Sequence, residues 1–207
     1  MKKVSLLIAL TVLIAISQTG YSQTLGITGS AHDFSASTWN TSHEICKVCH
    51  TPHNADITVA NAPLWNHALS TQTFQLYASG TLNAAVSDPD GSSKLCLSCH
   101  DGTVALESFG GTTGTQMMTG KALLGTDLRN DHPISISYDA TLIAADHGLN
   151  DPATTNSGLG GHISDDLLIA GKMQCSSCHD VHNSAGVDGL LRKSNSGSAL
   201  CLTCHKK

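Results

Sequence analysis

Four copies of the pentapeptide Cys-x-x-Cys-His account for all eight cysteines of this 207-residue chain. Two thiols at this spacing can bond the two vinyl groups of one porphyrin, and the adjacent histidine can then ligate the iron, so the pattern is typical of c-type haem attachment. We therefore predict four covalently bound c-type haems, held by Cys46, Cys49 and His50; Cys96, Cys99 and His100; Cys175, Cys178 and His179; and Cys201, Cys204 and His205.

Two other uses of paired cysteines explain the pattern less well. Zinc can be held by Cys-x-x-Cys pairs, but a zinc site would leave the histidine after every pair unexplained. A disulfide framework needs no histidine at all.

The second axial ligand of each iron must come from outside the motifs. Eight further histidines are present and only four are needed, so their surplus favours bis-histidine ligation of every haem. Three of them, in polar or Gly-flanked contexts, are predicted to be exposed: His43, His147 and His162. The candidate distal ligands are His32, His53, His67, His132 and His182.

His53 and His182 each follow a motif histidine by three residues. Neither can reach the opposite face of the same iron, because the porphyrin lies between them. We expect each to ligate a neighbouring haem, an arrangement that builds closely stacked pairs.

Local context supports the other three candidates. His67 follows Trp65, whose ring could pack on a porphyrin. His132 follows Asp131, whose carboxylate could hydrogen-bond the second ring nitrogen. His32 lies near the start of the mature chain. The sequence does not pair these histidines with particular irons.

Residues 1–22 have the features of a secretory signal peptide. Lys2 and Lys3 precede an apolar run of thirteen residues, which is too short to span a bilayer comfortably, and small residues occupy positions 20 and 22. We predict cleavage there, with an uncleaved anchor as the alternative. The mature protein would then have no membrane span and would be secreted, to the cell surface or the extracellular space, with the periplasm as the alternative.

The charge excludes two classes of partner. The chain has 11 basic and 16 acidic residues, a net charge of −5, and removal of Lys2 and Lys3 leaves 9 against 16, or −7. Haem propionates would add further negative charge. We therefore expect neither nucleic acid nor an anionic membrane surface to be bound.

The flanks of the motifs alternate in an A-B-A-B order. The first and third motifs continue as Cys-His-x-x-His-Asn, whereas the second and fourth share the frame Ser-x-Leu-Cys-Leu-x-Cys-His. We predict a single tetrahaem domain over residues 23–207, made of two haem-pair modules at about 23–110 and 165–207 and joined by a loop-rich segment.

The predicted fold class is a multihaem cytochrome c of mostly loops and short helices around a stacked haem chain, with little β structure. Aromatic residues are only 4% of the chain, so we expect the porphyrins to supply most of the core. Local patterns predict helices over 42–49, with Ser42 as N-cap, and over 167–172. They also predict a short β run over 134–138 and loops over 110–114 and 157–161.

The chain resembles the OmcE-like family of filament-forming extracellular multihaem cytochromes from metal-reducing bacteria. The resemblance covers nearly the whole mature chain and is carried by residues 32–34 (HDF), 45–55 (ICKVCHTPHNA), 63–67 (PLWNH), 95–105 (LCLSCHDGTVA), 130–135 (NDHPIS) and 191–195 (LRKSN).

This resemblance implies a head-to-tail homopolymer in which a histidine of one subunit ligates a haem of the next. The position that corresponds to the donor is His53, although His32 could equally cross the interface. The implied function is electron transfer along a bis-histidine haem chain to redox partners at the cell surface. No substrate turnover is implied. The alternatives are a monomeric periplasmic electron shuttle and a multihaem oxyanion reductase.

Overall fold

The computed structural model describes residues 26–206, so the predicted signal peptide lies outside the described residues. Most of the described chain is turn and loop, with ten residues in the longest helix. The α-helices are α1 (Gly91–His100), α2 (Ala140–Ala145), α3 (Ile163–Asp166), α4 (Cys175–Cys178) and α5 (Cys201–Cys204). Short 3-10 helices span Cys46–Val48, Gly120–Ala122, Asp188–Leu190 and Ser196–Ser198.

The described residues contain one two-stranded antiparallel sheet. Strand β1 (Ile136–Ser137) pairs with β2 (Lys172–Met173), with Ile136 opposite Met173. The centre of the predicted β run is therefore confirmed, and so is the fold class of loops and short helices with little β structure. The two Gly-rich loops are confirmed as well, since neither contains a helix or strand.

The main apolar core lies in the segment between the second and third motifs. Residues of β1, α2, α3 and β2 form it, together with Cys204 of the fourth motif; its buried members are Ile136, Tyr138, Leu142, Ile163, Leu167, Leu168, Met173 and Cys204. The Tyr138 hydroxyl donates to the backbone oxygens of Asn150 and Cys204, at 2.7 and 3.1 Å. This core therefore anchors the end of the fourth motif.

A second, smaller cluster packs the first two motifs together. It consists of Val59, Trp65 and Leu95, with Cys49 partly buried against it. Leu95 lies on α1, immediately before Cys96, so the cluster joins the loop after the first motif to the helix of the second.

Both helices predicted from local patterns are wrong. Over 42–49 only the 3-10 turn Cys46–Val48 forms, because His43 has a left-handed φ of 56° that interrupts a helix between Ser42 and Glu44. Over 167–172 the left-handed Ala170 and Gly171 make a tight turn into β2, and the helix α3 ends before it.

Within residues 26–206, no helix combines the length and the apolar character that crossing a bilayer would require.

Candidate haem sites

The first motif lies on the 3-10 turn Cys46–Val48, the second on the end of α1, and the third and fourth on the short helices α4 and α5. Residues three apart on such a turn project from the same side, so both cysteines of a motif can reach one ligand. In the first, third and fourth motifs the histidine amide donates to the carbonyl of the first cysteine, at 2.9 to 3.0 Å. The turn thus closes at the histidine and fixes it relative to both thiols. None of the eight cysteines forms a disulfide.

Three motif histidines donate their Nδ1–H to a backbone carbonyl. His50 donates to Pro63 at 2.5 Å, His100 to Ala122 at 2.7 Å and His179 to Gly189 at 2.9 Å. A carbonyl oxygen can only accept, so the proton is on Nδ1 and the Nε2 lone pair is free for a metal. The acceptors are backbone groups without a side-chain signature, which is why the sequence did not indicate them.

The first and third motifs are followed by the same local arrangement. Thr51 donates its amide to Leu64, and Asp180 donates its amide to Leu190, at 2.9 and 2.7 Å. Leu64 and Leu190 both adopt left-handed backbone conformations, with φ of 54° and 55°. The segment that contains Leu64 therefore pairs with the first motif in the same way as the segment that contains Leu190 pairs with the third. This agrees with the shared Cys-His-x-x-His-Asn flanks.

Helices α1 and α4, which carry the second and third motifs, pack against each other. Ser93 Oγ accepts from the Cys175 amide at 2.9 Å, and the Ser92 and Ser176 hydroxyls are 2.6 Å apart. The Cys96 thiol hydrogen-bonds to the Cys175 sulfur, which raises the pKa of Cys96 and lowers that of Cys175. The attachment points of these two motifs are therefore neighbours.

Burial raises the pKa of several other motif thiols. That of Cys49 rises to about 11, that of Cys99 to about 12 and that of Cys204 to about 11, in each case mainly because the protein removes water from the sulfur. These thiols are protonated at neutral pH and lie in surroundings that suit an apolar macrocycle.

Three motif histidines face a second histidine ring at nearly the same distance. The ring centroids of His50 and His182 are 6.2 Å apart, those of His100 and His32 are 6.0 Å apart, and those of His205 and His132 are 6.2 Å apart. The angles between the ring planes are 18°, 48° and 75° in the same order.

This separation fits two imidazoles on opposite sides of one metal ion. A metal–imidazole bond is about 2.0–2.1 Å and the ring nitrogen lies about 1.1 Å from the centroid, so two such ligands have centroids roughly 6.3 Å apart. Rotation about the metal–nitrogen bonds leaves the angle between the planes free, as the three pairs require. The described residues therefore fit haem iron held between two histidines.

His32 is enclosed more completely than the other facing histidines. Its Nδ1 is buried without a hydrogen-bond partner among the described residues. Burial, with a smaller contribution from positive charge on His100, His179 and His182, lowers its pKa to about 4. The ring is thus neutral at neutral pH, the form that a metal binds.

His67 has a different environment from the other predicted ligands. Its side chain is only 2% exposed, and its Nδ1 and Nε2 lie 2.9 and 3.1 Å from the carbonyl oxygens of Ala68 and Ala105. Its Nε2 is also 3.5 Å from the sulfur of Cys99. Burial lowers the pKa of His67. Both ring nitrogens are thus in contact with protein groups, and no second histidine ring faces it among the described residues.

His53 is exposed on the turn that follows the first motif. No hydrogen bond or ring contact of its imidazole occurs within residues 26–206. The ring of His179, the histidine of the third motif, likewise makes no contact with another ring there. Exposed apolar side chains lie nearby in sequence: Ile57 is 86% exposed and Leu64 is 56% exposed.

His43, His147 and His162 are exposed, as predicted.

The described residues contain no cluster of three or more His, Cys, Asp or Glu side chains that could hold a metal ion by themselves. The histidine pairs leave the remaining ligand positions to another group, and four porphyrin nitrogens would fill them.

Comparison with known proteins identifies the C-terminal part of the chain. Residues 169–207, which contain the third and fourth motifs, match the family model described as Doubled CXXCH motif. No curated protein compared with the chain matches it. The family match supports a multihaem c-type cytochrome with covalently attached haem and an electron-transfer role.

Proposed function

We propose that this multihaem c-type cytochrome is a secreted tetrahaem protein of the OmcE-like type, which conducts electrons through bis-histidine haems as an extracellular filament. The observation that carries the proposal is the set of three facing histidine pairs with nearly the same centroid separation. Each haem, when bound, supplies one-electron exchange between ferric and ferrous iron. The chain's own residues attach, ligate and enclose it.

The pairs support a distal ligand for each of three haems. His182 would ligate the haem of the first motif, His32 that of the second and His132 that of the fourth. Two axial histidines close the iron to substrates, which favours electron transfer over catalysis. The assignment uses three of the five predicted distal ligands and leaves His53 and His67.

Among the described residues, no second histidine ring faces His179 of the third motif. His182, three residues after His179, instead faces the ring of His50 in the first motif. By the similarity of the two motifs, His53, three residues after His50, is the matching donor for the haem on His179. The rings of His53 and His179 make no contact within the described chain. We therefore propose that His53 of one subunit ligates the haem on His179 of the next.

Such a bond would favour an open polymer. The donor and the acceptor lie on different surfaces, so the contact is heterologous and extends into a filament when the rotation does not close. Exposed Ile57 and Leu64 would add apolar area close to the donor. Pro52, directly before His53, restricts the backbone of the turn and limits the positions that the donor can reach.

The experiment that tests this proposal is substitution of His53 in the secreted, haem-loaded protein. His53→Ala should retain four haems by mass, prevent filaments in electron cryo-microscopy and convert one haem per subunit to a high-spin state. Added imidazole should restore the low-spin state without restoring filaments. The control is His147→Ala, which removes another exposed histidine and should leave filaments unchanged.

Two results would favour other functions. Wild-type monomers with four low-spin haems would favour the periplasmic shuttle and contradict a ligand from a second subunit. Binding of nitrite or carbon monoxide to the native filament, without loss of structure, would indicate an exchangeable iron site and favour the oxyanion reductase.

A further inference from the structure

We propose that Asp180 is a positioning residue that lowers the reduction potential of the haem on the first motif, by placing its carboxylate beside the distal ligand His182. The inference rests on the proposed function, because it takes His182 as the ligand opposite His50. It assigns Asp180 a role in setting the reduction potential of that haem.

The carboxylate of Asp180 is fixed by the turn that it begins. Its Oδ1 accepts the His182 amide at 3.0 Å and its Oδ2 accepts the Ser184 amide at 2.9 Å. These bonds hold Oδ1 3.7 Å from Nδ1 of His182, and the Asp180 side chain is 20% exposed. The charge therefore stands at a set distance from the ring nitrogen that would point away from the iron.

The distal rings of the other two pairs have neutral surroundings at the same atom. His132 Nδ1 donates to the carbonyl of Pro133 at 2.9 Å, and His32 Nδ1 is buried without a partner. The three distal imidazoles thus meet a carboxylate, a carbonyl and no acceptor. At 3.7 Å the Asp180 carboxylate makes no hydrogen bond to the His182 ring, so it acts on the ring and the iron through its charge.

The first motif provides an internal comparison. Thr51 occupies the position that corresponds to Asp180, and its hydroxyl donates to the His53 carbonyl at 2.9 Å. The two Cys-His-x-x-His turns thus carry a neutral residue in one case and a carboxylate in the other. The charge is therefore not required to form the turn.

The sign of the change in reduction potential follows from the charge of the Asp180 carboxylate. Ferric haem carries one more positive charge than ferrous haem, so a nearby carboxylate stabilises the ferric state. The negative charge therefore makes the haem harder to reduce and gives it a lower potential than it would have beside a neutral residue.

The test is a spectroelectrochemical titration of the haem-loaded Asp180→Asn variant. We expect one of the four one-electron waves to move to a more positive potential, while the other three keep their positions and all haems remain low-spin. The matched control is Asp139→Asn, since Asp139 also accepts two backbone amides, from Thr141 and Leu142. It should shift no wave.

A reciprocal variant covers the case in which Asp180→Asn does not load haem. Thr51→Asp places a carboxylate beside His53 and should move the wave of a different haem to a more negative potential.

Unchanged waves with four low-spin haems, in Asp180→Asn or in Thr51→Asp, would overturn the role of the carboxylate and leave the axial assignment intact. A different result would show that His182 is not the axial ligand of this haem: the His182→Ala variant would contain no high-spin haem.

Discussion

The imidazoles of His50 and His182 face each other with ring centroids 6.2 Å apart and planes 18° from parallel. One belongs to the first motif and the other follows the third, so the chain folds back to place its two Cys-His-x-x-His turns side by side. The amide of Gly26 donates to the Asn183 carbonyl at 3.1 Å, which ties the beginning of the described chain to the same turn.

The facing rings predict the effect of removing His182. His182→Ala should leave all thioether bonds intact, because no motif residue changes, but one haem should become high-spin because its iron loses a ligand. The measurement is electron paramagnetic resonance of the oxidised protein together with the haem count by mass. His162→Ala, which removes an exposed histidine paired with Asp165, is the control and should leave all haems low-spin.

A structural role for His67 predicts a different result. His67→Ala should retain four low-spin haems but lower the free energy of unfolding by about 1–3 kcal/mol, since the buried Ala105 carbonyl loses its partner. Chemical denaturation of the haem-loaded protein measures this change, with His147→Ala as the control. The appearance of a high-spin haem in His67→Ala would instead identify His67 as an axial ligand.

The pKa of His32 predicts how stability depends on pH. Its ordinary pKa of 6.5 falls to about 4 in the folded chain, mainly through burial, so the unfolded chain binds more protons between these values. The free energy of unfolding should therefore fall as the pH drops below 6.5. Iron ligation also requires the neutral ring and acts in the same direction.

Denaturation midpoints at pH 7, 5.5 and 4.5 test this expectation. Carboxylates with depressed pKa values, such as Asp127 at about 2, lose their contribution only at lower pH and so do not obscure this range. Equal midpoints at all three pH values would argue against a buried neutral His32. His162→Ala should show the same loss as the wild type, because that histidine is exposed.

Local sequence patterns predicted the motifs better than the helices around them. The Cys-x-x-Cys-His spacing identified the four attachment motifs, because this chemistry depends on residue type and on spacing within five residues. The helix predicted over 42–49 failed because His43 is left-handed, and the one over 167–172 failed because Ala170 is left-handed. A single backbone dihedral at a non-glycine residue is decided by packing, which a local pattern does not contain.

The sequence by itself determined which groups can attach and ligate haem, because that chemistry depends on residue type and on spacing within five residues. The candidate histidines were also visible, since histidine outside the motifs is in surplus. Only the tertiary structure decided which histidine faces which, because His50 and His182 meet through a fold that brings distant turns together. It likewise separated His67 from the facing rings and placed the Asp180 carboxylate beside His182, since burial and charge proximity arise only when the chain is folded.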